Sequence, residues 1–439
     1  MTVVPFPGGA ADEKADGKRR RKDGRGDFFA VDRRAWARVC GSISSPGLGV
    51  NAAVAYLALA RGTGASNRDT PWSVNALEKR NLMSRGRAQM AIDALKAAGL
   101  VRQTGFGGKA TRYELVPAHE VPGTSAYRPA LTEVEAFLWG RLIKGGRLQV
   151  PYTGTVATWG ATRPLELAQQ LEAKGYARRI SSAGGSFEPI AWDEEEARRP
   201  DWVWLPNSLI DGALGDVAPP VEIVRRTQDV LALRLLVDLY HEQDLAEFGG
   251  LSWRTIRRSY EREQLAQAGP FIVWAFSPKG LSAWMAAPIA PHFRGADGSP
   301  ERQAASAAFW ARWETLCRLG LVEEIPYLIE ADTESAGVIH ACALKCGEEV
   351  ELDIGHAARE AALAMLPSNM AELYRSAREV ILAPVPLEYA QVQLVGLCRL
   401  RYRSRNARTG AWWARLQGEG AALASVLKER AQQFGALKN

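Results

Sequence analysis

The chain has 439 residues, 47% of them hydrophobic and 24% charged, a balance that supports sizeable cores and excludes fibrous or wholly disordered classes. That length implies two to four domains. Lys and Arg number 55 against 49 Asp and Glu, a net charge of +6 that is too small to identify a polyanion partner without clustering. No apolar run reaches bilayer-spanning length, residues 1–26 lack a secretion signal's apolar segment, and the five scattered cysteines suit a reducing compartment. A cytoplasmic protein without membrane contact is therefore expected.

In chain order, residues 1–26 read as a disordered basic tail, because they are rich in Gly, Lys, Arg and Asp and have little to bury. Its Lys18–Lys22 cluster (KRRRK) suits either phosphate contact or simple solubility. Phe28–Val39 begins strand-like and turns helical, and Asn51–Arg61 reads as a helix with Val54, Leu57 and Ala58 on one face. Ser73 stands at the cap of a helix over Val74–Arg80, Asn81-Leu82-Met83 make a turn, and Ser84 caps a longer helix with Ala88, Ile92 and Leu95 at helical spacing. Gly99 closes that helix, Leu100-Val101 opens a strand, Gly105–Gly108 turn it and Tyr113–Leu115 returns.

This order of helix, turn, helix, strand, glycine loop and strand over residues 27–117 resembles the winged helix-turn-helix domains of DNA-binding proteins. Its layout from FFAVDRRAW to YEL is similar to the N-terminal module of plasmid and phage replication or regulatory proteins. The charge agrees: Lys79, Arg80, Arg85, Arg87, Lys96, Arg102, Lys109 and Arg112 face only Glu78, Asp93 and Glu114. Arg85, Arg87 and Gln89 occupy the first turns of the second helix, the part that reaches base edges in a major groove. Arginine there suits guanine and glutamine suits adenine. The resemblance implies phosphate or minor-groove contacts for Lys109 and Arg112 on the hairpin. A solvated basic face on a protein-interaction module is the competing reading.

After a Pro-rich linker at residues 117–129 the pattern repeats over 130–193. Helices are expected at Glu133–Ile143 and Thr162–Ala173, and Leu171–Trp192 aligns with Leu95–Leu115. This second winged-helix-like unit is poor in base on its reading helix, so spacing or protein contact is expected of it. A third unit, residues 221–346, starts with the apolar helix Asp229–Tyr240. Gln243–Phe248, the turn Gly249–Leu251 and a Ser252-capped helix carrying Arg254, Thr255, Arg257 and Arg258 then resemble a helix-turn-helix. Gly269 would end that helix, and Phe271–Phe276 would be a wing strand. A loop over Pro278–Arg302 precedes a helix at Ala304–Leu319 and strands at Ile325–Glu330 and Val338–Leu344, which belong either to this unit or to a fourth.

Residues 347–439 read as a helical C-terminal region, with helices at His356–Leu366, Asn369–Ala383 and Ala411–Phe434. The last would close the core or pair two subunits in a homodimer. As a strand, Val392–Arg405 would put Arg399, Arg401, Arg403 and Arg405 on one face, either as a phosphate stripe or as edge protection.

The residues offer little catalytic chemistry. Gly107–Thr111 lacks the earlier glycine of a phosphate-binding loop. His340, Cys342, Cys346 and His356 lack the spacing of a zinc finger or ribbon and read better as core residues. The expectation is a non-enzymatic, mainly helical α+β protein with small hairpins and tandem winged helix-turn-helix units, without cofactor or metal, binding double-stranded DNA as a transcription regulator or replication initiator of a mobile element. A protein-interaction scaffold, and more remotely a DNA-nicking enzyme, are the alternatives.

Overall fold

The computed structural model describes residues 27–105, 111–149, 164–180, 186–244, 249–253, 255–283, 299–331, 333, 336–377, 379–389, 391–403 and 407–436. The basic tail, the Gly107–Ala110 part of the glycine loop, Lys109, Arg254 and Arg405 lie outside them. The chain is mixed α and β, as expected at that level.

The apolar run FFAVD forms β1 (Phe28–Asp32), and Asp32 caps α1 (Arg33–Cys40) by accepting the Arg34 N–H. A tight hairpin of β2 (Gly41–Ser42) and β3 (Ser45–Pro46) follows. Gly41 has φ +69°, and a Cβ there would clash with the Gly47 nitrogen. The alanine-rich α2 (Val50–Arg61) is apolar nearly all round and is buried on every side rather than on one face. Then come β4 (Asp69–Thr70), α3 (Val74–Lys79), α4 (Arg85–Ala97), β5 (Val101–Gln103) and β6 (Tyr113–Leu115), with sheet order β4–β6–β5. Ser73 and Ser84 stand at the N-caps with extended backbone, but neither side chain makes the capping hydrogen bond. Gly99 takes the left-handed conformation, φ +72°, that ends α4.

The second unit matches the sheet order of the first on its own small core, with residues 150–163 outside the described ones. A Thr132–Glu135 capping box opens α5 (Glu133–Gly145); β7 (Leu148–Gln149), α6 (Pro164–Ala173), β8 (Ala177–Arg179) and β9 (Ser186–Pro189) follow, with sheet order β7–β9–β8. Leu138, Leu142, Leu167, Leu171 and Phe187 fill it. The repeat extends to side chains: Arg102 opposes Glu114 across the first hairpin, and Arg178 opposes Glu188 across the second.

Beyond it, α7 (Glu194–Arg198) packs against the turn at Ala118–Glu120, and β10 (Trp202–Pro206) pairs antiparallel with β1. The chain thus leaves for the second unit and returns from it at one place. Next are α8 (Ser208–Asp211), α9 (Pro220–Arg226) and α10 (Val230–His241).

The expected third helix-turn-helix is not what forms. Gln243–Asp244 and Gly250–Leu251 pair as β11 and β12, and residues 256–268 make β13 (Ile256–Ala268), a 13-residue strand in a hairpin with β14 (Phe271–Ala283). Arg257 and Arg258 are therefore strand residues, with Thr255 just before them. Glu, Arg, Gln, Leu and Ala favour helix, but pairing with the aromatic, β-branched FIVWAF strand overrides that preference. Gly269, φ +56°, heads a two-residue Gly-Pro turn rather than closing a helix.

α11 (Pro300–Arg318), β15 (Val322–Ile329), β16 (Val338–Ala341), α12 (Glu349–Met365), α13 (Ser368–Ser376), β17 (Ile381–Pro386), β18 (Gln393–Leu400) and α14 (Ala407–Ala436) complete the chain. The sheet β16–β15–β18–β13–β14–β17 is antiparallel throughout and joins strands from both sides of residue 346. Ile381–Ala383, expected at the end of a helix, begins β17, where ILAPVP supplies apolar residues and prolines that stop helix. The C-terminal region is consequently not all helical. The largest core runs from Phe29 and α2 through α10 and Trp313 to Cys398 and Leu400, tying the first unit to the sheet. Ala424 and Leu427 of α14 pack on Ile354, Ala357 and Ala358 of α12, so part of its apolar face closes a core within the chain.

Candidate nucleic-acid interface

The face of interest is the outer side of α4. Ala88, Ala91, Ile92 and Leu95 bury one stripe, which leaves Arg85, Gly86, Arg87, Gln89, Met90, Asp93 and Lys96 exposed. Arg85 donates to the Asn75 side-chain oxygen and lies 3.7 Å from Glu78, so it bridges the first turn of α4 to α3 while remaining exposed. Arg87 has no hydrogen-bond or ion-pair partner among the described residues.

Further along, Gln89 donates to Asp93 at 2.9 Å and Lys96 donates to the other carboxylate oxygen at 3.1 Å. Those two hydrogen bonds, with Gln89 the larger, hold the Asp93 carboxyl below its ordinary range. Gln89 and Lys96 therefore belong to a local network as well as to the exposed face. Met90 is 74% exposed in the middle of that face, a position its residue type does not signal because methionine usually fills cores.

On the hairpin, Arg102 lies 3.3 Å from Glu114 and 3.6 Å from Glu120, and Arg112 is exposed just before β6. Arg80, counted in the basic cluster, instead stacks 3.5 Å over the Trp72 ring and donates to Asp211, where it meets Arg61 from the end of α2. That cluster braces α2, α3 and α8.

No protein-family model matches the chain, and neither does any curated protein or solved structure. The residues must speak for themselves.

Arg257 and Arg258, expected on a third reading helix, are engaged elsewhere. Arg258 makes a two-pronged pair with Glu324 of β15, which raises its already high proton affinity. Arg257 lies 5.4 Å over the Trp253 ring. Arg258 and Glu324 instead line an open cleft of about 420 Å³ with Trp310, Trp313, Glu314 and Cys317. Burial pushes the Cys317 thiol up to about 12, so it stays protonated.

The expected arginine stripe on β18 is also replaced. Arg399 is fully buried and grips Glu351 of α12 at 2.7 and 2.8 Å, with the Tyr327 hydroxyl donating to the same carboxylate. Arg401 and Arg403 lie beyond the strand, and Arg403 pairs with Glu348 at 2.6 Å. His340 and Cys342 are buried, and the Cys346 thiol donates to the Glu324 carbonyl. Among the described residues no group of three or more His, Cys, Asp or Glu is placed to hold a metal, and no helix is long and apolar enough to cross a membrane.

Proposed function

We propose that the chain is a sequence-specific double-stranded DNA-binding protein, a transcription regulator or replication initiator, in which the first unit acts as a winged helix and α4 lies in the major groove. The observation that carries this reading is the exposed, unpartnered Arg87 near the start of a helix that Arg85 and the hairpin hold outward. The element order α2, β4, α3, α4, β5, β6 with the last strand central supports it. Arg87 and Arg85 would contact guanine edges and Gln89 an adenine, while Lys96, Arg102 and Arg112, with Lys109 in the loop, would meet phosphates. With Arg257 and Arg258 built into the sheet, base reading falls to the first unit alone. The second unit carries paired charges on its hairpin and an acidic α6, which favours spacing or protein contact.

The test selects duplexes from a random pool and then compares a selected with an unselected duplex in gel shifts. Arg87→Ala should weaken the selected duplex by about 1–3 kcal/mol, roughly 5- to 150-fold, and change the unselected one little. Absence of salt-dependent duplex binding by the wild type would refute the proposal and favour a scaffold.

A further inference from the structure

The crest of α4 has an uneven composition. Ala88, Ala91, Ile92 and Leu95 face inward, and Gly86, Met90, Asp93 and Ala97, spaced by four, three and four residues, form one line on the far side from them. Arg87 flanks that line on one side, and Arg85, Gln89 and Lys96 flank it on the other. Gly86 brings no side chain to the crest, and an added Cβ there would meet nothing within 4 Å. Asp93 is drawn to Gln89 and Lys96. Met90, 74% exposed, is the long apolar side chain of the line.

We infer that Met90 is a specificity-determining residue that reads the C5-methyl group of a thymine. The inference rests on the reading of the first unit as a winged helix with α4 in the major groove. A lone exposed methionine needs no explanation on most surfaces. Here it stands between the two flanks of a helix face whose Arg85, Arg87 and Lys96 suit a polyanion, so a duplex that meets those groups also meets Met90. A thioether donates no hydrogen bond and accepts only weakly. The major groove offers donors, acceptors and one apolar group, the thymine methyl, so that methyl is the base-edge feature that rewards Met90. Against the amino group of cytosine or adenine the same side chain would displace water and give no hydrogen bond in return. Gly86, one turn earlier on the line, leaves the approach open.

The rise of the helix sets where the thymine lies. Arg87 and Met90 are three residues apart, a separation of about 4.5 Å along α4. Base pairs stack about 3.4 Å apart, so the thymine falls about one or two base pairs from the guanine that Arg87 contacts.

The test uses the full-length chain and a duplex that it selects from a random pool. Exchanging guanines for 7-deazaguanine locates the Arg87 contact, as the exchange that weakens the wild type but not Arg87→Ala. Each thymine is then replaced by uracil, which removes the methyl and leaves the hydrogen-bonding edges unchanged. One such replacement, within about two base pairs of that guanine, should weaken the wild type roughly fourfold, the effect of one buried methyl group. Met90→Ala should be indifferent to the same replacement, because the two changes remove one contact. Met90→Leu, apolar and of similar volume, should keep the difference. Met90→Ala should also leave the unfolding midpoint little changed, so that lost affinity is not lost fold. The inference is overturned by a selected site with no thymine near that guanine, by uracil tolerated at every thymine, or by a uracil effect that survives in Met90→Ala. In those cases a loss confined to the selected duplex in Arg87→Ala still upholds the reading of α4. Equal losses of Arg87→Ala on selected and unselected duplexes, or no salt-dependent duplex binding, overturn both.

Discussion

The buried Glu351–Arg399 pair gives the sharpest test of how the sheet region is held. Both side chains are completely inaccessible. Glu351 accepts two guanidinium hydrogen bonds, the Tyr327 hydroxyl and the Glu348 backbone N–H. Glu351→Gln keeps the shape but leaves an acceptor oxygen for only one of Tyr327 and Glu348, which donate to different carboxylate oxygens, and it removes the charge facing Arg399. Removing one partner of a buried pair leaves the other ion uncompensated, at a cost of about 3–5 kcal/mol. Whole domains are stable by only about 5–15 kcal/mol, so the loss should move the urea midpoint substantially. Tryptophan fluorescence follows the unfolding, since Trp253 and Trp274 lie in the cores on either side of this sheet.

The double replacement Glu351→Leu with Arg399→Met should recover most of the loss, because two apolar side chains need no counter-charge. The pH dependence has a definite sign. Burial raises the Glu351 carboxyl, but Arg399 and the hydrogen bonds outweigh it and leave it below its ordinary range. Its contribution is therefore full above the unfolded value of about 4.3 and disappears as pH falls through the lower folded value. A Glu351→Gln variant within 1 kcal/mol of wild type at pH 7 would refute this account of the pair.

Three further outcomes are expected. Gly41→Ala should cost about 2 kcal/mol or more in denaturant unfolding, because its φ of +69° and the adjacent Gly47 backbone leave no room for a side chain. Burial raises the Asp238 carboxyl to about 7, against the opposing pull of Arg234, Arg33 and His241. The unfolded chain releases that proton first, near pH 4, so stability should fall between about pH 4 and 7, and Asp238→Asn should flatten the melting-temperature profile there. Asp93→Ala should change stability by less than about 1 kcal/mol, since its partners are surface groups. It frees Gln89 and Lys96 and should tighten binding to unselected duplex, as gel shifts at fixed salt would read.

The first unit was legible because its signals are local: positive-φ Gly99, the turn at Asn81 and the stripe Ala88, Ile92 and Leu95 need no distant partner. The second was legible as its echo in the order of helix, closing glycine, strand and returning strand, whereas the matching hairpin pairs Arg102–Glu114 and Arg178–Glu188 appear only in the register of the sheets. The six-stranded sheet was hidden because the pairings that assemble it, β13 with β18, β14 with β17 and β15 with β18, are long-range. Nothing near Arg258 announces Glu324, and nothing near Arg399 announces Glu351, 48 residues earlier. Residues 256–268 also carry helix-favouring chemistry, so their strand state depends on β14 and β18. The candidate α4 face was readable in its basic residues, whereas Met90 and the Asp93 network required coordinates.

The pairing of β1 with β10, and of α7 with the turn at Ala118–Glu120, means that both stalks of the second unit spring from a common root. A module joined by one thread swings; one joined by two is aimed. The surrounding scaffold closes beneath it through Arg33 and Asp201, so the body is stitched together on the near side of the module and does not depend on it for that seam.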